Sequence, residues 1–350
     1  VDDEMLEDDT KIADGLADFY ESKVEKLMKE PNFQAVDSLL ARTFTDRSSF
    51  DIYPVSYTEV LSAFDKLKPK QSAGFDRISY KTMKTLKWEL CQPIETITNQ
   101  CIKQGVFLSQ WKEAKIVPIA KKAGAMEPKD FRPLALSSCI GKIIESLVTQ
   151  QLRSHLEHRL PPELHGYVTG KGTFSAINSL TEKAKEAKRQ GLKAAMIFAD
   201  GSCAFDAISH DLILRTLAFI GAGDRTLKFV RAYLSDRWAA VVVGSATSRR
   251  WKLKCGIPQG GILSPVAYIL GAASQSRAND FTSSTAYADD SGEFVAASTN
   301  ELCVEMVEEA TNNLIGWFND VGMTPNTGKS EILPIGSEIG PVVTTAGVVH

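Results

Sequence analysis

A mixed α/β fold is the architecture this sequence predicts, and three features predict it. Residues 194–199 (AAMIFA) form a short unbroken apolar run of the kind found in a strand buried on both faces. Residues 5–30 repeat apolar side chains (Leu6, Ile12, Leu16, Phe19, Val24, Leu27) about three or four apart, as a helix with one buried face does. Acids follow the apolar runs directly, as at Asp200 and again at Asp289 and Asp290, so strand ends carry charge.

The other elements follow in order. Pro31 ends the first helix, and a second starts at the capping candidates Ser56 or Thr58 and runs to Pro69. A basic, glycine-containing loop over 70–76 precedes helices at 79–90 and 93–104. Residues 114–120 (AKIVPIA) read as a strand that Pro118 confines to an edge or bulge, and 124–129 as a hairpin turn. Residues 153–159 and 179–190 are predicted helices, the second with Glu and Lys spaced to pair along a face. After the 194–199 strand come a helix over 211–220, strands at 239–243 and 251–254, and a stiff loop at 256–261 (GIPQGG). A helix over 265–278 leads to a hairpin of strands 284–287 and 293–296. The long helix 301–318 and the loop 322–329 complete the reading.

At 350 residues, 43% hydrophobic and 24% charged, the chain is neither disordered nor fibrous and is long enough for two domains. Its longest apolar stretch, 261–273, contains Ser264 and Pro265 and falls short of the roughly 20 residues that span a bilayer, so no membrane partner is expected. The chain opens Val-Asp-Asp-Glu, without a basic and apolar leader or an initiating Met, and reads as a piece of a longer polypeptide. Six scattered cysteines without a C-x-x-C pair, and five histidines without a metal-binding spacing, exclude a zinc site and favour a reducing, intracellular setting.

The net charge of −3 conceals an asymmetry: residues 1–30 hold eleven acids against four lysines, so the rest of the chain is net basic. Residues 66–87 hold seven basic side chains and one acid, and residues 225–254 eight and one. Such stripes suit a phosphate-lined groove; solvated helix faces are the plainer alternative.

Carboxylates just past apolar strands emerge at one rim of a sheet. Brought together, Asp200, Asp289 and Asp290 would repel one another unless divalent cations lay between them. Two Mg²⁺ ions about 4 Å apart can activate a hydroxyl and stabilise a leaving phosphate oxygen. An Asp-Asp pair alone would be read as a plain turn; its companions decide otherwise.

Residues 198–206 (FADGSCAFD), 256–265 (GIPQGGILSP) and 287–290 (YADD) resemble, in this order, motifs A, B and C of reverse transcriptases. The flanks agree: 66–76 (KLKPKQSAGFD), 117–122 (VPIAKK), 130–136 (DFRPLAL) with 141–145 (GKIIE), 164–171 (LHGYVTGK), and 322–331 (GMTPNTGKSE) for motif D. The blocks cover roughly residues 50–335, and the pattern is most similar to LINE-type (non-LTR) retrotransposon enzymes.

The resemblance implies a right-hand polymerase fold of fingers and palm, with an antiparallel palm sheet packed on helices. It implies an acidic helical extension over 1–50, fingers with the palm entry over 51–192, a palm over 193–335, and the start of a truncated primer grip over 336–350, with the thumb largely absent. Asp200 and Asp289 are implied as metal ligands and Asp290 as the adjacent third carboxylate, holding two Mg²⁺ ions with Mn²⁺ as an alternative; Asp206 is read as structural. Phe205 stands where the family places an aromatic gate under the sugar, a ring that would collide with a ribose 2′-hydroxyl. Lys121, or its neighbour Lys122, and Arg132 match the residues that grip the triphosphate, with solvated charge as the alternative. Gln259 and Gly260 match the motif B pair beside nucleotide or template, and Lys329 the lysine that protonates the leaving pyrophosphate.

The chain departs from the family at Gly201, Ser202 and Cys203, where a more polar segment is usual, at Gly-Phe-Asp 74–76 and at Gly-Tyr-Val 166–168, which removes a basic residue near nucleic acid. The implied function is an RNA-directed DNA polymerase using an RNA template, a DNA primer and dNTPs, acting in the nucleus as LINE-type elements do. A catalytically silent RNA-binding scaffold and an RNA-directed RNA polymerase are the alternatives; retained acids argue against the first, Phe205 and the GIPQGG block against the second.

Overall fold

A computed structural model describes residues 8–350; Leu6 and its neighbours lie outside the described residues. Among these, eleven strands alternate with helices: β1 (Glu113–Ala120), β2 (Phe131–Leu136), β3 (Lys193–Asp200), β4 (Arg237–Val243), β5 (Ala246–Thr247), β6 (Trp251–Leu253), β7 (Ser283–Tyr287), β8 (Asp290–Ala297), β9 (Glu331–Ile335), β10 (Val342–Thr344) and β11 (Gly347–Val349). The mixed α/β class is therefore the one observed. The chain forms two compact units, one from residues up to Lys26 with Ser49–Ser154 and Gly221–Pro265, the other from Leu27–Ser48, His155–Ile220 and Val266–His350.

The first unit is built on the sheet β2-β1-β4-β5, with β6 also paired to β4. β1 runs antiparallel to β2 over residues 115–120 and parallel to β4 over residues 113–116. Pro118 lies beyond that stretch, where its missing N–H deprives no neighbour of a ladder bond. Helix Asp9–Leu27 lays Ala13, Leu16, Ala17 and Tyr20 on Ala114, Ile116, Ala135, Ala239, Val241 and Trp251 of the sheet. Its acids meet the basic run of residues 225–254: Arg249 pairs with Asp18 and Glu21, and Lys254 with Glu25. Within the same run Lys252 pairs with Asp236, Arg250 with Glu113 and Lys228 with Asp224. This stripe is largely neutralised by protein carboxylates, whereas Lys66, Lys68, Lys70, Arg77 and Lys81 of the other remain exposed.

The second unit holds the four-stranded antiparallel sheet β7-β8-β3-β9. β3 is its apolar centre, and its alternation sorts the two faces. Ala194, Met196 and Phe198 face Leu180, Ala184 and Ala187 of helix Thr173–Arg189. Ala195 and Ile197 face Cys303, Val307 and Ala310 of helix Asn300–Asp320, with Val342 of the β10–β11 hairpin.

Several expectations shift. The break predicted before Pro93 falls instead at Leu86, between helices Tyr80–Thr85 and Lys87–Gln104; Pro93 sits inside the second, costing it one backbone bond. The helix expected at 153–159 is the end of Cys139–Leu156. Helices Phe33–Thr43 and Asp224–Leu234 were not expected. No described helix is long and apolar enough to cross a membrane.

Candidate active site

In the second unit, β3 ends at Asp200 and β8 begins at Asp290, and the two residues are direct cross-strand partners, which sets their Cα atoms about 4.5–5.5 Å apart. Tyr287 pairs with Asp290 on the other side of β8, so Ala288 and Asp289 form the tip of a tight turn. Ala288 turns with φ of 55°, in the left-handed region that residues with a Cβ seldom adopt. The structure thus brings together Asp200, Asp289 and Asp290 from residues ninety apart in sequence.

Two backbone segments fix this rim. His165 N–H and Gly166 N–H donate to the Ala286 carbonyl, and Ala286 N–H donates to that of Glu163. Gly166 then lies so close to the turn that a Cβ there would stand 2.1 Å from Ala288 N. On the other side, Asn326 donates from its backbone to the Asp200 carbonyl (2.9 Å) and from its side chain to Asp200 Oδ2 (3.1 Å). Lys329 Nζ stands 3.3 Å from the same oxygen while remaining largely exposed. Gly166 lies in the 164–171 block and Asn326 in the 322–331 block, but the sequence assigned neither a role. The Gly-Tyr and Pro-Asn-Thr-Gly turns are visible there, but what they touch is not.

The carboxylates interact. Asp290 is exposed at its tip, yet partial loss of hydration and the charges of Asp289 and Asp200 push its carboxyl above the usual range, with Lys329 opposing. Among the described residues no three acids, imidazoles or thiolates close on one point at metal-ligand distance. The donor set nonetheless fits a hard divalent cation in kind: it consists of carboxylate oxygens, and their mutual repulsion is what such a cation relieves.

Phe205 follows Asp200 on the short helix Ala204–Ala207. Its ring stacks on Tyr268 at 4.6 Å and 4°, and meets Tyr167 edge-on at 5.9 Å. Burial and the nearby Asp289 charge push the Tyr268 hydroxyl strongly upward. Of the two tyrosines that hold the Phe205 ring, Tyr167 lies in the 164–171 block without a role assigned to it, and Tyr268 carried no sequence signal.

The remaining candidates belong to the first unit. Lys121 and Arg132 flank the β1–β2 hairpin; Lys121 Nζ donates to the Lys129 carbonyl at 2.5 Å, Lys122 pairs with Asp130 at 3.0 Å, and Arg132 is exposed. Beside β2 runs the 256–261 loop, where Ala135 N–H donates to the Gln259 carbonyl. Gly260 has φ of 112°, and a Cβ there would lie 3.0 Å from the Ala135 carbonyl oxygen. Helix Cys139–Leu156 pins this loop through Lys142, which donates to the Gly260 carbonyl (2.8 Å), and Glu145, which accepts from Ile262 N–H (2.7 Å). These two buried residues explain the GKIIE block, and burial pulls the Lys142 ammonium below its ordinary value.

Residues 119–339 match the family model described as reverse transcriptase (RNA-dependent DNA polymerase). The chain is 30% identical over 224 residues to the probable RNA-directed DNA polymerase from transposon BS of Drosophila melanogaster, covering 63% of this chain and 24% of that protein. It is 24% identical over 277 residues to the RNA-directed DNA polymerase from mobile element jockey of Drosophila funebris (76% and 30%). It is also 24% identical over 294 residues to a putative 115 kDa protein in the type-1 retrotransposable element R1DM of Drosophila melanogaster (83% and 28%). The chain spans about a quarter to a third of the length of these relatives.

Proposed function

This chain belongs to the reverse transcriptase (RNA-dependent DNA polymerase) family, and from that premise we propose that it extends a DNA primer 3′-hydroxyl with dNTPs on an RNA template, within a longer protein of a LINE-type element. The observation that carries the proposal is the cross-strand pairing of Asp200 with Asp290 at a sheet rim, with Asp289 in the adjoining turn. In this reading the sheet β7-β8-β3-β9 is the palm and the β1–β2 hairpin belongs to the fingers.

Asp200, Asp289 and Asp290 are the residues that would hold two Mg²⁺ ions, or Mn²⁺, whose bound chemistry is activation of the hydroxyl and stabilisation of charge on the leaving pyrophosphate. Lys329 holds a proton on Nζ beside Asp200, available to the leaving group. Arg132 offers a planar fork and Lys121 a point charge to phosphate oxygens. Phe205, held by Tyr268 and Tyr167, presents a fixed ring edge to the sugar. Gly260 keeps the 256–261 loop close against β2, so that Gln259 is carried on rigid backbone. The exposed lysines of residues 66–81 suit sequence-independent contact with nucleic-acid backbone, base pairing selecting the nucleotide.

Primer extension on poly(rA)/oligo(dT) with Mg²⁺, run beside Asp289→Ala, tests the reading. Incorporation of dTMP by the parent chain and none by the variant is expected; an equal background in both would overturn it. Comparing dNTPs with rNTPs on the same template separates DNA from RNA synthesis.

A further inference from the structure

The loop that carries Gln259 is held, within the first unit, by buried polar groups that touch no reactant. Glu145, only 1% exposed, turns one carboxylate oxygen toward three donors. Its Oε2 accepts from Ile262 N–H at 2.7 Å, from Leu263 N–H at 3.4 Å and from the Tyr233 hydroxyl at 3.3 Å. A carboxylate accepts several bonds and donates none, so it suits this convergence. On the same helix Lys142 donates to the Gly260 carbonyl at 2.8 Å.

The loop also closes on itself. The Pro258 carbonyl accepts from Gly261 N–H at 2.9 Å and from the Ser264 hydroxyl at 2.8 Å, and Ser264 meets the Tyr233 hydroxyl at 3.4 Å. A Cβ at Gly261 would stand 2.6 Å from that same tyrosine oxygen. Tyr233 is fully buried, edge-on to Phe107 at 5.2 Å and beneath the Arg237 guanidinium at 4.9 Å. With the bond from Ala135 N–H to the Gln259 carbonyl, every residue from 258 to 263 has a backbone atom held in place. Packing alone does not call for this arrangement: buried charges cost desolvation, and apolar side chains of similar size would fill the space at least as favourably. What the polar groups add is direction.

We propose that Glu145 and Tyr233 are positioning residues for nucleotide binding. By fixing residues 258–263 they set where the Gln259 side chain stands against the incoming dNTP, without touching it themselves. The proposal rests on the polymerase reading and adds to it that dNTP affinity is set from buried groups on helices Cys139–Leu156 and Asp224–Leu234.

Single-nucleotide incorporation on poly(rA)/oligo(dT) by the full chain, with the dTTP KM and kcat measured separately, tests this. Glu145→Gln keeps the side-chain size and removes the charge; Tyr233→Phe removes only the hydroxyl. The first should raise the dTTP KM about tenfold and the second about threefold, with kcat changed less than about twofold. Because both act through Gln259, neither should raise KM by more than about twofold further in a Gln259→Ala background. Thr98→Val, which removes a buried hydroxyl bonded to Ile94 within helix Lys87–Gln104, controls for general loosening and should leave both constants unchanged. Amide hydrogen exchange reads the loop directly: residues 259–263 should exchange at least about tenfold faster in Glu145→Gln than in the parent chain, with β3 unaffected. Circular dichroism verifies folding, and if Glu145→Gln fails to fold, Tyr233→Phe carries both measurements. Unchanged KM in the variants or in Gln259→Ala, a fall confined to kcat, effects that add in full to those of Gln259→Ala, or unchanged loop exchange would each overturn the positioning role. A parent chain that incorporates no dTMP would remove the polymerase reading and this proposal with it; an active parent with any of the preceding results overturns this proposal alone.

Discussion

Gly166→Ala is the perturbation that most directly probes how the acidic turn is held. The added methyl carbon would fall 2.1 Å from Ala288 N, 3.0 Å from Ala288 Cα and 3.0 Å from the Tyr287 carbonyl carbon. An ordinary contact between such atoms is about 3.5 Å, so the turn or the 164–167 segment must retreat by roughly 1.4 Å. The backbone cannot absorb this cheaply, because His165 and Gly166 are bonded to Ala286, one residue before the YADD tip. Overpacking of this kind costs about 1–3 kcal/mol of stability, while a shift of about 1 Å at the reacting groups costs on the order of 100-fold in rate. The expected result is therefore a still-folded protein whose single-nucleotide incorporation falls about 100-fold in kcat, with dNTP KM little changed. Rapid-quench primer extension measures this, with Gly172→Ala as the control, since a Cβ at Gly172 meets nothing within 4 Å. Wild-type turnover in folded Gly166→Ala would refute the idea that this close approach positions Asp289.

Three further outcomes are expected. Phe205→Val or Phe205→Ala should admit ribonucleotides, read as the ratio of rNTP to dNTP incorporation; unchanged sugar selectivity would remove the gate assignment. Gly316 lies in helix Asn300–Asp320 with open space around its Cα, so Gly316→Ala should stabilise the protein by about 0.5–1 kcal/mol in urea unfolding. Glu293 is fully buried and accepts bonds from Gln275, Thr282 and Ser284. Burial pushes its carboxyl up, against the pull of bonds from Thr282, Ser284 and Asn279, and Glu163 adds to the rise. A carboxyl whose folded-state value is raised stabilises fully below its unfolded value of about 4.3, and that contribution is lost as pH climbs through the folded value. Glu293→Gln should accordingly gain stability relative to the parent chain between pH 4 and 7, and a pH-independent difference in denaturation midpoints would contradict this.

Much of the acidic rim was legible because it is local chemistry. The run AAMIFA is apolar throughout, short, and bounded by Gly191 and by Asp200 and Gly201, as a strand covered on both faces is, and Asp200 stands where that run ends. The Tyr-Ala-Asp-Asp turn is legible for the same reason, since short strands of small and branched residues flank it. Helix Phe33–Thr43 escaped because its cap, Asn32, follows Pro31, which was read only as a stop, although Asn32 accepts the bond from Ala35 N–H that starts the helix. Helix Asp224–Leu234 was concealed by its charge: Arg225, Lys228 and Arg231 drew a groove reading, while Phe229, Val230 and Tyr233 on the other side are buried. Tyr167, Tyr268, Asn326 and Lys142 could not be found from spacing, because each acts on a partner far along the chain. A short segment can reveal its own conformation, but not which distant backbone it will meet.

The two-sided burial of β3 also sets how this sequence can drift. Even-numbered residues answer to one helix and odd-numbered ones to the other, so deleting one residue inside the strand would exchange its two linings throughout. It would also turn the terminal aspartate away from its partner on β8. Insertions and deletions are thus confined to surface loops such as the 121–130 connection. Within the strand, only substitutions that keep the size and polarity of each lining are compatible with both helices.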